Sequence, residues 1–98
     1  MSKMQRVKGA QFEREIANYL GVKRRLGQAR DAGHDLDWRD FALELKRRAT
    51  IAAYDWLEQA ERSSLVAEGG KIPAVIARAD GKRAIVILYL TDFHPESP

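Results

Sequence analysis

The sequence predicts an α/β fold in which one mixed sheet of about five strands is flanked by two helices, in the order α-β-β-β-α-β-β. Three observations support this prediction. Two segments, 8–20 and 53–68, repeat apolar residues at helical spacing. Short apolar runs rich in β-branched or aromatic residues lie between and after them, and turn-forming pairs separate the runs. With 98 residues the chain has room for one core, so we treat 1–98 as a single domain.

The first helix is predicted at 8–20. Phe12, Ile16, Tyr19 and Leu20 fall on one helical face, and Gly21 stands where a helix would end. The residues before it, 1–7, are polar and basic, and we expect them to be flexible. We expect the same of the polar tail at 94–98.

Three strands are predicted next. Segment 30–34 consists of polar and small residues, and it is a loop or an irregular strand that leads into a strand at 35–38. The Arg39-Asp40 pair would turn this strand into the run at 41–47, so these two strands should form a hairpin.

The last three elements are a helix and a closing hairpin. A stripe of small and apolar residues at 53, 56, 57, 60 and 64 predicts the second helix, which Gly69-Gly70 would end. The runs 72–78 and 84–90 are joined around Asp80-Gly81 and should pair as a hairpin. Because a strand-helix-strand connection normally joins parallel strands, the sheet should be mixed.

Composition narrows the class of protein. Lys and Arg number 17 against 14 acids, and the net charge of +3 favours a polyanionic partner. The chain has no cysteine, which excludes a disulfide framework and a thiolate metal site and fits a reducing cytosol. No apolar run approaches the roughly 18 to 20 residues that span a bilayer, so we expect a cytoplasmic protein with no membrane partner. The short length favours a homodimer.

The strand at 41–47 carries the most informative charges. Side chains alternate faces along a strand, so Glu44 and Lys46 point one way while Phe41, Leu43 and Leu45 point the other. Placing two charges on so apolar a strand is costly unless they have partners, and a divalent metal together with a phosphate would supply both. The alternative for Glu44 and Lys46 is that the strand lies at the edge of the sheet and both charges are simply solvated.

An aspartate upstream completes a candidate metal site. Asp35 precedes the strand by a hairpin's length, so it can lie opposite Glu44 and Lys46, and the main-chain carbonyl of Leu45 is a further oxygen ligand. Asp35 could be merely a turn residue, and Asp37 competes with it as the ligand because both share a face. These groups predict Mg²⁺-dependent hydrolysis of a phosphodiester, with Mn²⁺ as a substitute.

The first helix offers a fourth acid. At about 100° per residue, Glu13 lies on the border of the apolar stripe and can face inward, whereas Glu15 falls on the opposite border. We therefore prefer Glu13 as a water-mediated metal contact. The alternative is a surface acid stabilised by the helix dipole.

Taken together, these residues resemble a known family, the archaeal-type Holliday junction resolvases of the PD-(D/E)XK nuclease superfamily, whose pattern small phage resolvase-like nucleases share. The resemblance covers about 8–93. The matching segments are Lys8-Gly9-Ala10-Gln11-Phe12-Glu13-Arg14-Glu15-Ile16, Arg30-Asp31-Ala32-Gly33, Asp35-Leu36 and Glu44-Leu45-Lys46. It implies a restriction-endonuclease-like core and a homodimeric endonuclease that cuts four-way DNA junctions.

The resemblance also implies residue roles. Glu13 matches the helix glutamate of the catalytic site, Asp35 the aspartate ligand, and Glu44 and Lys46 the final pair. Arginines 14 and 30 match positions thought to meet DNA phosphates. The basic residues Lys8, Arg24, Arg25, Arg47 and Arg48 are further candidate phosphate contacts, with an ordinary solvated face as the alternative.

The sequence leaves the roles of several other side chains undecided. His34 could bind metal or shape a loop, and we assign no catalytic role to it or to His94. Trp56 is expected in the core or at a dimer contact rather than stacked on a base. Gln59, one helical turn on, is a possible accessory residue of the site. The chain has no proline before Asp35, so a nuclease of the same fold acting on other DNA remains an alternative, as does a non-catalytic DNA-binding module.

Overall fold

The computed structural model describes residues 3–23, 34–66 and 70–93, with side chains at 9–23, 34–65 and 70–93. This part of the chain forms an α/β fold with one four-stranded sheet and three helices. The elements are α1 (Lys3–Leu20), β1 (Leu36–Trp38), β2 (Phe41–Arg48), α2 (Ala53–Val66), β3 (Ile72–Ala79), β4 (Ile85–Ile87) and α3 (Leu90–Phe93).

The sheet is mixed, as predicted. Its strand order is β1-β2-β3-β4. β1 and β2 are antiparallel, β2 and β3 run parallel from the pair Phe41 and Ile72 to the pair Arg48 and Ala79, and β3 and β4 are antiparallel. The parallel pair forms the centre of the sheet, and α2 connects its two strands.

The two longer helices cover opposite faces of the sheet. On one face, Phe12 of α1 packs in a buried cluster with Leu43 and Ala74. On the other face, Leu57 of α2 packs with Val75 of β3. Since neighbouring residues of a strand point to opposite faces, Glu44 and Lys46 lie on the side that α2 covers, and Leu43 and Leu45 on the side of α1.

Local conformations agree with the predicted helix end and turns. Gly21 has a φ of 72°, and the Val22 amide donates to the Ala17 carbonyl at 3.0 Å, which closes the C-terminus of α1. Arg39 adopts a φ of 54° in the turn between β1 and β2. The predicted hairpins 35–47 and 72–90 are both present as antiparallel pairs.

Three features differ from the sequence prediction. Helix α1 begins at Lys3 and so includes most of the segment expected to be flexible, because 3–8 contain good helix formers and no glycine or proline. β4 is only three residues long, and the chain turns into α3, where the Asp92 and Phe93 amides donate to the Tyr89 carbonyl. β-branched residues favour a strand without fixing where its ladder ends.

The strand count also differs, since the part of the chain that is described holds four strands rather than five. The irregular strand considered at 30–34 falls almost entirely outside the described residues, and His34, its one described member, is not in a strand. The tail 94–98 also lies outside them. Among the helices that the structure describes, none is long and apolar enough to cross a membrane.

Candidate functional site

Asp35 and Glu44 lie side by side where β1 begins. The ladder pairs Leu36 with Leu43, so one step further along it sets Asp35 opposite Glu44. The Asp35 amide donates to the Leu43 carbonyl at 2.9 Å, and the Leu45 amide donates to Asp35 Oδ2 at the same distance. Asp35 is thus held by main-chain groups of Leu43 and Leu45, the residues before and after Glu44.

Glu44 is a buried acid with an incomplete set of partners. Its side chain is 7 % exposed, and Oε2 has no hydrogen-bond partner among the residues that the structure describes. Burial, the neighbouring charge of Asp35 and a hydrogen bond with that residue raise the pKa of Glu44 to about 7, against the opposing effect of Lys46. Near neutral pH, Glu44 is therefore partly protonated, and its Oε2 has no hydrogen-bond partner in the described part of the chain.

Lys46 follows two residues later on the same face of β2. It is half-buried, and its ammonium group lowers the pKa of Glu44 by charge attraction. Leu45, between them, packs its side chain against the α1 cluster. The strand therefore sends an acid and a base to one face and a core residue to the other, as its alternation predicted.

Glu13, the third acid predicted for the site, lies on α1 and so in a different layer of the fold from Asp35 and Glu44. Glu13 is 5 % exposed on α1, the helix that packs against the Leu43 face. Within the described residues, no group of three or more His, Asp or Glu side chains is arranged to hold a metal ion. The structure thus brings Asp35 and Glu44 together, while the joining of Glu13 to them stays a prediction. Glu15 is 61 % exposed and lies 3.7 Å from the Arg78 guanidinium.

Asp37, the competitor of Asp35, is engaged elsewhere. Its Oδ1 accepts a hydrogen bond from the ring of His34, which is buried, and lies 3.3 Å from the Lys71 ammonium. Burial by itself would raise the pKa of Asp37, but the hydrogen bonds and charges of His34 and Lys71 outweigh it and hold the pKa below its usual value. His34 thereby joins the loop before Asp35 to β1.

The second helix covers the face that carries Glu44 and Lys46. Trp56 is partly buried against Val75 and Ala77, so it is a core residue. Gln59 is also partly buried on this helix. Its position on α2 is compatible with the accessory role that the sequence indicated.

The predicted phosphate contacts are only partly described. Arg14 and Arg48 are exposed. Arg47 is 20 % exposed and its guanidinium donates to the Asp80 carboxylate. Arg24, Arg25, Arg30 and the side chain of Lys8 lie outside the described residues.

Sequence reasoning did not single out Lys71 and Arg78. Lys71 reaches Asp37 from the residue before β3, and Arg78 is the ladder partner of Arg47. Both depend on the parallel register of β2 and β3, which no local pattern specifies. The only feature of the sequence that could have indicated these two residues is that basic residues lie at the ends of the strands.

The donor set fits a hard divalent cation. Asp35 and Glu44 offer carboxylate oxygens, one of them a buried oxygen without a partner in the described structure, and the Leu45 carbonyl follows directly. Mg²⁺ binds oxygen ligands and commonly takes only one or two carboxylates from a protein. Such an ion would also relieve the repulsion between two carboxylates in a poorly solvated place.

Comparisons of this chain with protein-family models, with curated proteins and with solved structures give no match.

Proposed function

We propose that this protein is a Mg²⁺-dependent endonuclease that hydrolyses phosphodiester bonds in branched DNA, with four-way junctions as its substrate. The proposal includes a PD-(D/E)XK site and a restriction-endonuclease-like core. The observation that carries it is the pairing of Asp35 with a buried Glu44 whose pKa is raised to about 7. An acid pair of this kind, with a lysine two residues on, suits metal-assisted chemistry on a phosphate.

Each side chain has a role in this proposal. Asp35, Glu44 and the Leu45 carbonyl would hold Mg²⁺, which would activate water and polarise the phosphate. Lys46 polarises the attacking water or steadies the charge that develops on the phosphate, since it lies on the same face as Glu44. Glu13 orients a water of the site. Gln59 is an accessory polar group from α2.

A symmetric dimer accounts for paired cuts. An isologous interface sets two identical sites about a two-fold axis, so both would cut strands of like polarity at a junction. The fold contains one Asp35–Glu44 pair per chain, and each chain would make one cut.

The proposal is tested by cleavage of a labelled four-way junction beside linear duplex and single strand of the same sequence, with Mg²⁺ or with EDTA. We expect paired symmetric nicks that are confined to the junction and need Mg²⁺. Glu44→Gln should remove them, because the neutral amide keeps the size of the side chain but not the charge that the cation needs.

Other outcomes separate the alternatives. Mg²⁺-dependent cutting of all three substrates would keep the nuclease and reject junction selectivity, which is the alternative of a phage or restriction-type enzyme. Tight DNA binding with no metal-dependent product would reject the enzyme and favour a binding module. Arg62→Gln, on the exposed side of α2, is the matched control and should cleave like the wild type.

A further inference from the structure

Basic side chains gather where the parallel strands β2 and β3 end. We define this basic end as five residues that come from the last positions of these strands and from the turn that follows β3. They are Arg47, Arg48, Arg78, Lys82 and Arg83. Only the first two were predicted as phosphate contacts from the sequence.

Hydrogen bonds fix the shape of the basic end. Arg47 and Arg78 are ladder partners, so their Cα atoms are neighbours across the parallel pair. The Arg78 Nε donates to the Lys82 carbonyl at 2.8 Å, and Arg47 donates to the Asp80 carboxylate. Gly81 takes a φ of 74° that the turn requires. The turn is thereby held against the strand ends, and Lys82 and Arg83 are exposed.

The charge of this region remains positive after its ion pairs are counted. Among the described residues, two acids lie within it, Asp80 on Arg47 and Glu15 on Arg78. Five cations against two anions leave a net charge of +3, as large as the net charge of the whole chain. Arg78 is still 37 % exposed, and a guanidinium has five N–H groups, so it can meet an anion while keeping its contact with Glu15.

A small polar cavity lies at the same place. It has a volume of about 200 Å³ and is lined by Gln11, Phe12, Glu15, Arg47 and Arg78. It opens between α1 and the strand ends. A cavity of this kind has room for one phosphate group beside the Arg78 guanidinium.

The basic end is also close to the candidate site. Arg47 follows Glu44 by three residues, which is about 10 Å along a strand, and its side chain points to the α1 face whereas that of Glu44 points to the α2 face, so the exposed turn at the strand end connects the two faces. One strand of DNA presents a phosphate every 3.4 Å of helix axis, so roughly three nucleotides span this distance. Ligands of α/β sheets also tend to bind at the carboxyl ends of parallel strands, which is where these residues lie.

We infer that the basic end is a phosphate-binding surface that holds the DNA backbone on one side of the scissile bond, with Arg78, Lys82 and Arg83 as its contacts. The inference rests on the proposed function for its ligand. Arg47 acts through Asp80 and positions the turn, since its side chain is mostly enclosed. The contacts are to phosphate, so they should add affinity without sequence preference.

The test is the salt dependence of DNA binding in EDTA, measured by the anisotropy of a labelled four-way junction. The variant is the double substitution Lys82→Gln and Arg83→Gln in the exposed turn. Each phosphate contact contributes about 0.9 to the slope of log affinity against log salt, so the slope should become less steep by about 1.8. Between about 50 and 200 mM KCl, the variant should therefore lose about tenfold less affinity than the wild type.

The matched control removes two charges elsewhere. Arg39→Gln with Arg62→Gln changes exposed side chains in the turn between β1 and β2 and on α2, and it should keep the wild-type slope. The exchange Lys82→Arg with Arg83→Lys keeps both charges and should also keep it. Equal slopes for wild type and the Gln variant would overturn the inference.

The readout separates this inference from the proposed function. Binding is measured without metal, so a protein that binds through the basic end but never cleaves would support the inference and reject the endonuclease. Metal-dependent cleavage, with the same salt slope for the wild type and the Gln variant, would support the endonuclease and overturn the inference. A wild-type protein that binds no DNA would overturn both.

Discussion

Asp35 lies across the β1–β2 ladder from Glu44, and the Leu45 amide holds its carboxylate there at 2.9 Å. Two acids in a half-buried place repel each other when both are charged, so one of them retains a proton to higher pH. Burial and Asp35 accordingly raise the pKa of Glu44 to about 7. A divalent cation removes the same repulsion, which makes proton and metal competitors for one position.

The free energy of unfolding should depend on pH through Glu44. Its pKa is about 7 in the folded protein against an ordinary value of 4.5 for glutamate, so the folded chain keeps a proton that the unfolded chain has released. The resulting stabilisation is complete below the unfolded pKa and is lost as pH rises through about 7. From about pH 5 to pH 8 without divalent metal, the loss from this group should be roughly 2 to 3 kcal/mol.

Urea denaturation at both pH values measures this loss. Glu44→Gln has no proton to lose, so its free energy of unfolding should fall by less over the same range. The two acids Asp55 and Glu58 are exposed on α2, and Glu58→Gln is a control that should follow the wild type. An equal pH dependence in wild type and Glu44→Gln would show that Glu44 titrates normally.

Mn²⁺ binding should distinguish the two aspartates of the hairpin. Asp35 faces Glu44, whereas Asp37 is held by His34 and Lys71. Asp35→Asn should therefore weaken Mn²⁺ binding, measured by calorimetry near pH 8, by at least about tenfold, in the range seen when groups around a metal are removed. Asp37→Asn should leave the affinity within a few-fold of the wild type. A larger loss of Mn²⁺ affinity for Asp37→Asn than for Asp35→Asn would show that Asp37, and not Asp35, is the metal ligand.

The same titration should weaken at low pH. Because ligands must be deprotonated, Mn²⁺ competes with the proton on Glu44, and binding should fall as pH drops through about 7. Affinity that is constant from about pH 8 to pH 5 would contradict a site that includes Glu44.

His34 should contribute mainly to stability. Its ring is 3 % exposed and donates to Asp37, so His34→Ala removes a buried hydrogen bond and leaves the partner less well satisfied. We expect a loss of about 1–3 kcal/mol in the free energy of unfolding. His34→Asn, which keeps a donor, should lose less. A His34→Ala protein as stable as the wild type would contradict a structural role for this ring.

Leu36 should be a sensitive core position directly behind the site. It is fully buried in the cluster that Phe12 and Leu43 share. Leu36→Ala should cost about 2–5 kcal/mol in urea denaturation, because it removes buried methyl groups and leaves a cavity. Leu65→Ala is the matched control, because the Leu65 side chain is exposed on α2, and it should change the free energy of unfolding little. Comparable values for the two would show that Leu36 is not a core residue.

The sequence predicts the centre of this fold well, for local reasons. Alternation along 41–47 predicts which face Glu44 takes, and the Arg39-Asp40 turn predicts the hairpin that sets Asp35 opposite it. Strand-helix-strand order predicts the parallel pair. The first two features depend on residues within one hairpin, and the third depends only on the order of elements along the chain.

Other features depend on distant contacts and were missed. The early start of α1 at Lys3 is an exception, since it follows from the good helix formers at 3–8, which their polar and basic composition obscured. The Lys71 to Asp37 pair and the neighbours Arg47 and Arg78 follow from the register between β2 and β3. The predicted link of Glu13 to the site depends on how α1 crosses the sheet, which helical periodicity does not specify.

The most direct measurement is single-turnover cleavage of a four-way junction by wild type and Glu44→Gln, with saturating Mg²⁺ near pH 8. We expect cleavage by the wild type, none with EDTA, and a rate for Glu44→Gln at least about a hundredfold lower, because a group that stabilises the transition state is removed. Both proteins should bind the junction. Cleavage that persists in EDTA or in Glu44→Gln at the wild-type rate would contradict the claim that Asp35 and Glu44 form a metal-dependent catalytic site.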